Sequence, residues 1–358
     1  MRQPPPPTTA LALGLATLLL ATFAGSAAAA KRPPLPKPKT RTTPGRIEAL
    51  AMDGTRVAYD VAAGTGAKAR CNTVYVWNVA RKSATRVSGR PTCGADSTST
   101  GAGVRELALA GGRAAWIVNQ GGNSESGDYL YVSSVARPGE HVLATAFRTG
   151  DTSGVLTGNW LGGLVGAGSF LALDHWATDS NGAITTARLR RVGSRLGDLA
   201  EGAETMTARS TDGRQVAVLR TDGTVGLYST HGALLRTVMP SSAVEVALRR
   251  DYLAVLTTAR TVEVFNSHSG RKLRSWHVAA GAAHLDISSG LAAYAAGSRV
   301  HVVRLSTGKS VFGARAGAPV SAVALEPAGL VYASGRGERP ARIVYVPMGR
   351  VLPRPPRR

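Results

Sequence analysis

The fold is decided by one pattern that is written three times, as VAVLRTDGTVGLY (residues 216–228), LAVLTTARTVEVF (253–265) and AAYAAGSRVHVV (292–303). Each copy begins with a short apolar triplet and ends with a run in which apolar residues alternate with others. Alternation with a period of two predicts half-buried β-strands. Because the copies recur about every 40 residues, we expect a chain built from repeated β-rich units.

The same apolar triplet marks seven units along the chain. Its copies are Val57-Ala58-Tyr59, Ala114-Ala115-Trp116, Leu171-Ala172-Leu173, Val216-Ala217-Val218, Leu253-Ala254-Val255, Ala292-Ala293-Tyr294 and Leu330-Val331-Tyr332. Short strands at a spacing near 40 residues are typical of β-propeller blades. The 42 glycines argue against helices, since they interrupt every candidate. We therefore predict an all-β fold, a seven-bladed β-propeller over residues 39–348.

The last unit supplies only three clear strands, so its fourth strand must come from elsewhere. Arg41-Thr42-Thr43-Pro44 leads into Ile47 much as residues 236–240 lead into Val244. We therefore favour a ring closed by an N-terminal outer strand, because that closure leaves no exposed sheet edge between the first and last blades. The alternative closure uses a strand at Arg350 to Leu352.

The two ends of the chain do not belong to the predicted propeller. Residues 1–30 have a basic start, an apolar stretch over 11–23 and small residues at 28–30, which is typical of a secretory signal peptide. The alternative is a membrane anchor that stays uncleaved. Residues 31–38 form a basic, proline-rich linker, and residues 349–358 form a basic tail rich in proline and arginine. We expect a secreted or extracytoplasmic protein of the cell envelope.

The two cysteines, Cys71 and Cys93, predict one disulfide, because exported proteins keep paired thiols oxidised. If residues 72–79 pair with residues 85–90 so that Val79 faces Thr85, Cys71 would also face Cys93. Directly opposed residues of an antiparallel pair lie within disulfide reach. A turn one residue shorter would remove this match.

The formal charge of +21 first raises the possibility of nucleic-acid binding, but about half of the excess lies in the two flanks. Because an exported protein meets little nucleic acid, we predict no nucleic-acid partner. Basic flanks suit an anionic cell-envelope polymer or a membrane surface. The alternative is that the flanks are solvated tails without a partner. We expect a monomer whose partner is a protein or such a polymer, and a membrane contact only if the signal segment is retained.

Several stretches resemble a known group of propellers. STDGRQVAVL (residues 210–219) and AMDGTRVAYD (51–60) look like blades of WD-repeat and TolB-type propellers, and FNSHSGRKLRSWHV (265–278) resembles the passage from the third to the fourth strand of a WD repeat. The likeness covers about residues 40–348. The chain departs from WD repeats in lacking their Gly-His and Trp-Asp dipeptides. The resemblance implies a rigid platform for protein partners and leaves any activity open.

Insertions indicate where a binding site is expected. Units 7, 1, 2 and 3 carry extra residues between the second and third strands or after the fourth, at 334–341, 62–70, 91–103, 119–128, 147–159 and 177–183. These connections open on one face of a propeller, and long loops on a rigid scaffold commonly carry binding residues. The alternative is neutral drift. The predicted ligand-binding residues are Lys68, Arg70, Asn123, Glu125, Asp128, Trp176, Asp179, Asn181, Arg336 and Arg339, with Trp160 as a second unrepeated aromatic residue.

Signals for catalysis and metals are weak. No nucleophile motif, zinc-ligand spacing or cofactor motif occurs, so we predict no catalytic residue, metal or cofactor. The leading hypothesis is a non-enzymatic scaffold that binds through the loop-rich face. The alternative is a propeller enzyme, a metal-assisted hydrolase or lactonase, whose acids would converge on the central channel. Its candidate acids are Glu48, Glu106, Glu245 and Asp286. If they face neighbouring blades instead, a structural role follows.

Overall fold

A computed structural model describes residues 35–352 apart from 64–70, 90–98, 123–124, 151–154, 203 and 338. The predicted signal peptide, residues 31–34 of the linker and residues 353–358 of the tail lie outside these residues. No helix in the described part of the chain is long and apolar enough to cross a membrane.

The described residues form an all-β structure with one short helix. The strands of the first half are β1 (Lys39–Thr43), β2 (Leu50–Asp53), β3 (Arg56–Ala63), β4 (Cys71–Asn78), β5 (Ser83–Arg86), β6 (Ser99–Ala110), β7 (Arg113–Gly122), β8 (Glu125–Ser134), β9 (His141–Gly150), β10 (Leu156–Ala167), β11 (Phe170–Thr178), β12 (Ile184–Val192) and β13 (Leu196–Gly202).

The second half continues the pattern with shorter strands. They are β14 (Met206–Thr211), β15 (Gln215–Arg220), β16 (Val225–Ser229), β17 (Leu234–Val238), β18 (Ala243–Arg249), β19 (Tyr252–Thr257), β20 (Thr261–Asn266), β21 (Lys272–His277), β22 (Ala282–Ser288), β23 (Leu291–Ala296), β24 (Arg299–Arg304), β25 (Ser310–Arg315), β26 (Val320–Glu326), β27 (Gly329–Ser334) and β28 (Ala341–Pro347), followed by α1 (Met348–Val351).

These strands pair antiparallel in sequence order, and we number successive groups of four as units. Units 1 to 6 are β2–β5, β6–β9, β10–β13, β14–β17, β18–β21 and β22–β25, and unit 7 is β26–β28 with β1. All seven predicted triplets lie in the second strand of their unit. Units 2 and 3 share one eight-stranded sheet, because β9 pairs with the start of β10. The sequence did not predict that fusion.

The first strands of the units meet around a common centre. Each contacts the first strand of the next unit, and β26 contacts β2, so the contacts run in a closed cycle. A central cavity of about 200 Å³ is lined by residues of all seven first strands. The innermost position of every unit is thus fixed by two neighbouring units.

The N-terminal strand lies beside the last strand of the chain. β1 pairs antiparallel with β28, with Lys39 opposite Tyr345 and Thr43 opposite Ala341. Side chains of β1 also reach unit 1, where Lys39 Nζ donates to the Val79 carbonyl and Arg41 Nε donates to the Tyr59 hydroxyl, each at 2.7 Å. The stretch that the alternative closure needs as a strand forms α1 instead.

The core consists of apolar layers between successive units. The triplet residues are almost fully buried, as Val57, Ala58, Leu253 and Ala254 illustrate with 0% exposure. Small alanines alternate with larger residues, so the side chains of neighbouring twisted sheets pack closely between one another. The recurring aromatic residues Tyr59, Trp116, Tyr294 and Tyr332 are buried as well, so they pack within the core.

A recurring glycine lets units 4, 5 and 6 each approach the outer strand of the preceding unit. Gly232, Gly270 and Gly308 lie in the turn between the third and fourth strands and have positive φ angles of 92°, 70° and 68°. A Cβ at Gly270 would lie 2.8 Å from Cδ of Arg236, and one at Gly308 would lie 3.3 Å from Trp276. Both the backbone conformation and the close contact therefore favour glycine here.

The predicted register around the cysteines is wrong. In the structure Val76 faces Thr85 and Trp77 faces Ala84, so the hairpin of β4 and β5 is shifted by three residues from the predicted pairing. Val79 therefore does not face Thr85, so the register no longer supports the predicted opposition of the two cysteines. The prediction placed the turn wrongly because residues 79–82, which form it, include no glycine or proline. Cys93 lies outside the described residues, so the disulfide itself stays a prediction.

Candidate functional site

The insertions of units 2 and 3 extend their strands rather than forming open loops. Residues 119–122 and 125–128 are the ends of the long strands β7 and β8. β9 pairs with β8 over most of its length, and residues 156–158 of β10 pair with the end of β9. The expectation that residues 119–128 form a long loop is therefore wrong for the described residues of this stretch. Long paired strands satisfy their own backbone groups, so they form a firm platform. Lys68, Arg70 and Asn123 lie outside the described residues.

Asp128, which the sequence predicted to bind a ligand, is not exposed. It is fully buried, and its Oδ2 accepts a hydrogen bond from Arg148 Nη1 at 2.8 Å. The same carboxylate accepts from Asn119 Nδ2 at 2.9 Å and from the Leu161 amide at 3.2 Å. Because Leu161 belongs to unit 3, Asp128 and Arg148 join the two halves of the eight-stranded sheet.

Trp160 and Trp176 lie beside this ion pair, at facing positions of β10 and β11. Their rings stack with centroids 5.8 Å apart and an interplanar angle of 3°. The Arg148 guanidinium lies 3.8 Å from the centroid of the Trp160 ring. Trp160 thus contacts both an aromatic ring and a cation, and both indoles are partly exposed. The aromatic pair expected from the sequence is thus brought together, and Arg148 is the partner that sequence reasoning missed.

Apolar side chains project into solvent from the same pair of hairpins. Phe147 is 55% exposed and Leu156 is 38% exposed. Phe147 crosses over Gly127 and packs edge to face against Tyr129, with centroids 5.7 Å apart. Glu125, also exposed, lies at the start of β8. We call this end of the sheet, with Glu125, Tyr129 and Phe147 on one face and Leu156 on the other, the hairpin platform.

The remaining predicted residues have local or separate positions. Asp179 Oδ1 accepts from the amides of Asn181 at 2.8 Å and Ala183 at 3.0 Å, which is a plain Asx turn. Arg336 and Arg339 are exposed in the connection between β27 and β28 of unit 7. Among the described side chains, no group of three or more acids, histidines or cysteines could hold a metal ion.

Most of the candidate catalytic acids face neighbouring units. Oε2 of Glu106 accepts the Leu164 amide at 2.6 Å, Oε2 of Glu245 accepts the Leu285 amide at 2.7 Å, and Oδ2 of Asp286 accepts the Leu325 amide at 2.6 Å. Asp174 accepts the Ala208 amide at 2.7 Å in the same way, and Ser210 accepts the Leu248 amide at 2.9 Å. A side-chain acceptor therefore links each of these units to the first strand of the next.

Glu48 is the exception, since it contacts Arg46 at 2.5 Å and accepts from Asn72 within unit 1. The adjacent residues Asp174 and His175 contact different parts of the structure and do not form a common site. Asp174 is buried against unit 4, whereas the half-buried His175 ring lies 3.5 Å from Arg190. Burial lowers the pKa of His175, and the nearby positive charge of Arg190 lowers it further. Burial raises the pKa of Asp174 well above its usual value.

The central cavity contains two coupled carboxyl groups. Arg249 of unit 5 forms an ion pair with Glu326 of unit 7, so this contact passes over unit 6. Burial raises the pKa of Glu326 to about 7, although Arg249 opposes the shift. Burial likewise raises the pKa of Asp286, which also lines the cavity, to about 6. In unit 1, burial raises the pKa of Asp60 to about 7 against its hydrogen bonds from Ala49 and Glu48.

Raising the pH from about 5 to about 8 is expected to lower the free energy of unfolding by roughly 1–4 kcal/mol. Asp60, Asp286 and Glu326 bind their protons more tightly in the folded chain than in the unfolded chain. Their stabilising contribution is therefore complete below the unfolded pKa, near 4, and is lost as the pH rises through 6–7. Urea unfolding at both pH values measures the change. An Asp60→Asn variant should show a smaller pH dependence, and an unchanged slope would contradict the assignment.

Comparison with known proteins bears on the fold. No family model and no curated protein matches the sequence. The structure is similar to a chain of a solved structure described as "Crystal Structure of Mitotic Checkpoint Complex", with a TM-score of 0.55 and 16% sequence identity over 94% of this chain and 99% of that chain. The chain has a β-propeller-like fold.

In all, 1011 chains of solved structures match this propeller-like chain. An architecture shared so widely does not by itself determine a function, so any function must be argued from the particular surfaces of this chain. The hairpin platform differs from the rest of the propeller-like structure, because among the described residues only units 2 and 3 have strands of nine to twelve residues in most positions.

Proposed function

We propose that this chain is a secreted, non-enzymatic, seven-bladed β-propeller that binds a protein partner through the hairpin platform and the neighbouring connections of units 7 and 1. The seven units would be the blades, with β1 as the outer strand of the last one. The closed cycle of first-strand contacts and the pairing of β1 with β28 support this arrangement. The protein of similar structure comes from an assembly of proteins, which agrees with a scaffold role.

The observation that carries the proposal is a pair of exposed apolar side chains, one on each face of the sheet, at the end of long paired strands. Phe147 and Leu156 project from a sheet that the buried Asp128–Arg148 pair holds across units 2 and 3. Protein interfaces gain most of their affinity from a few aromatic and aliphatic anchors on a preorganised surface. An exposed phenylalanine with partly exposed tryptophans nearby fits that description.

Two alternatives have less support. An enzyme with acids converging on the channel would need carboxylates free to act, yet Glu106, Glu245 and Asp286 accept backbone amides of the next unit. An anionic cell-envelope polymer would be recognised by the basic flanks, residues 31–38 and 349–358, rather than by apolar side chains. The experiment below separates the polymer from a protein partner.

Replacing Phe147 and Leu156 by alanine is expected to weaken partner binding about 10- to 100-fold while the fold is retained. The partner would first be identified by photo-crosslinking from position 147 in the secreted fraction, and its affinity measured by biolayer interferometry. Both residues are exposed, so their loss leaves no buried cavity.

The matched control replaces Leu234 and Leu235, which are 48% and 49% exposed on β17 of unit 4. That variant should bind like the original protein. If binding survives the Phe147 and Leu156 changes but disappears when residues 31–38 and 349–358 are removed, the partner recognises charge and the proposal is wrong.

A further inference from the structure

The end of the molecule opposite the hairpin platform contains a separate cavity. The turns between first and second strands enclose about 540 Å³ there, with contributions from units 1 and 3 to 7. Because first-to-second and second-to-third connections lie at opposite ends of a strand, this cavity is far from the predicted loop-rich face. Its volume is in the range of small-ligand sites.

Arginine occupies an unfavourable backbone position in this cavity. The first residue of the turn between first and second strands has a positive φ in five units: Gly54 (61°), Gly111 (57°), Gly168 (59°), Arg250 (51°) and Ser289 (52°). Glycine adopts this conformation without strain, whereas arginine does not. Residues with strained backbone conformations cluster at binding and active sites, so the strain at Arg250 indicates a function for its side chain.

A second arginine is anchored to the same point. Oδ1 of Asp212 accepts the amide of Arg214 at 2.8 Å, and its Oδ2 accepts the amide of Arg250 at 3.1 Å. One carboxylate therefore fixes the backbones from which both guanidinium groups start. Both side chains are exposed, and both residues line the cavity.

The acids that line the cavity are already engaged. Asp212 accepts the amides just described, Asp53 accepts the amide of Gly111, and Asp251 lies 2.9 Å from His268 Nε2. Arg249 pairs with Glu326. Within the described part of the chain, no acidic side chain forms an ion pair with Arg214 or Arg250.

The cavity lining also includes a buried hydroxyl group without a hydrogen-bond partner. Ser288 lines the cavity and is 1% exposed, and its Oγ has no hydrogen-bond partner in the structure. Buried polar groups in proteins are almost always satisfied, so an unpaired hydroxyl in a cavity wall indicates a group that a bound molecule could satisfy.

We propose that this cavity binds a small ligand through an oxyanion, a phosphate or a carboxylate, held by Arg214 and Arg250, with Ser288 as a hydrogen-bond donor. Guanidinium groups match the geometry of both anions and bind them through paired N–H donors. The site is independent of the platform, since it uses other units at the other end of the molecule.

Isothermal titration of the full chain with pyrophosphate and, separately, with succinate at low ionic strength tests the site. We expect saturable binding of at least one probe, weakened at least tenfold by Arg250→Gly and by Arg214→Gln, and weakened less by Ser288→Ala. Pyrophosphate binding alone would assign a phosphate-bearing ligand, and succinate binding alone a carboxylate.

The matched control is Arg260→Gly. Arg260 is also an exposed arginine of unit 5 with a positive φ, 57°, but it lies in the turn between β19 and β20 at the other end of the sheet. Both glycine variants relieve the same backbone strain, so both should fold. Equal loss of binding in the two variants, or no saturable binding of either probe up to about 10 mM, would overturn the proposal.

Discussion

Asp128→Ala is expected to lower the free energy of unfolding by about 3–5 kcal/mol, because it leaves the Arg148 guanidinium charged and unpaired in the protein interior. The Asp128 and Arg148 side chains are 0% and 4% exposed, so water cannot replace the lost carboxylate. The variant also removes the acceptor of the Asn119 side chain and of the Leu161 amide. Urea unfolding followed by tryptophan fluorescence measures both stability and the environment of Trp160.

Two further variants separate the buried pair from a general effect of charge. Glu201→Ala breaks an exposed contact with Arg188 in the same eight-stranded sheet and should change stability by no more than about 0.5 kcal/mol. The double change Asp128→Leu with Arg148→Met removes both buried charges and should recover much of the loss. A loss below about 1 kcal/mol for Asp128→Ala would show that water reaches the pair, contrary to the burial described above.

Removing β1 is the second change for which we expect a large effect. Deletion of residues 31–43 should lower the melting temperature by about 5 °C or more, because β1 pairs with β28 along its whole length and backbone hydrogen bonds contribute about 0.5–1.5 kcal/mol each. The deletion also removes the contacts of Lys39 with Val79 and of Arg41 with Tyr59.

A shorter deletion provides the control. Removal of residues 31–36 leaves β1 intact and should leave the melting temperature unchanged, as measured by circular dichroism. Equal behaviour of the two deletions would show that pairing of β1 with β28 adds nothing to stability. The outer edge of unit 7 would then have to be held by other contacts.

The sequence by itself determined the strands and their grouping. Apolar triplets such as Leu253-Ala254-Val255 and alternating runs such as residues 261–265 fall in the predicted strands. This succeeded because alternation is a local property: a residue and its second neighbour share a face of any strand. Trp160 and Trp176 could also be identified from the sequence, because neither residue recurs in the other units and both lie near the insertions.

Only the tertiary structure decided what the polar residues do. Asp128 looked like a solvated loop acid, yet it is buried because β9 and β10 pair and bring Arg148 and unit 3 over it. Glu106, Glu245 and Asp286 could have faced the channel or the next unit, and the amides of the next first strand determine the outcome. The amides of Arg214 and Arg250, which belong to different units, likewise donate to the same Asp212 carboxylate. Burial and charge pairing depend on which strands lie opposite one another in space, and the local pattern of one strand does not contain that information.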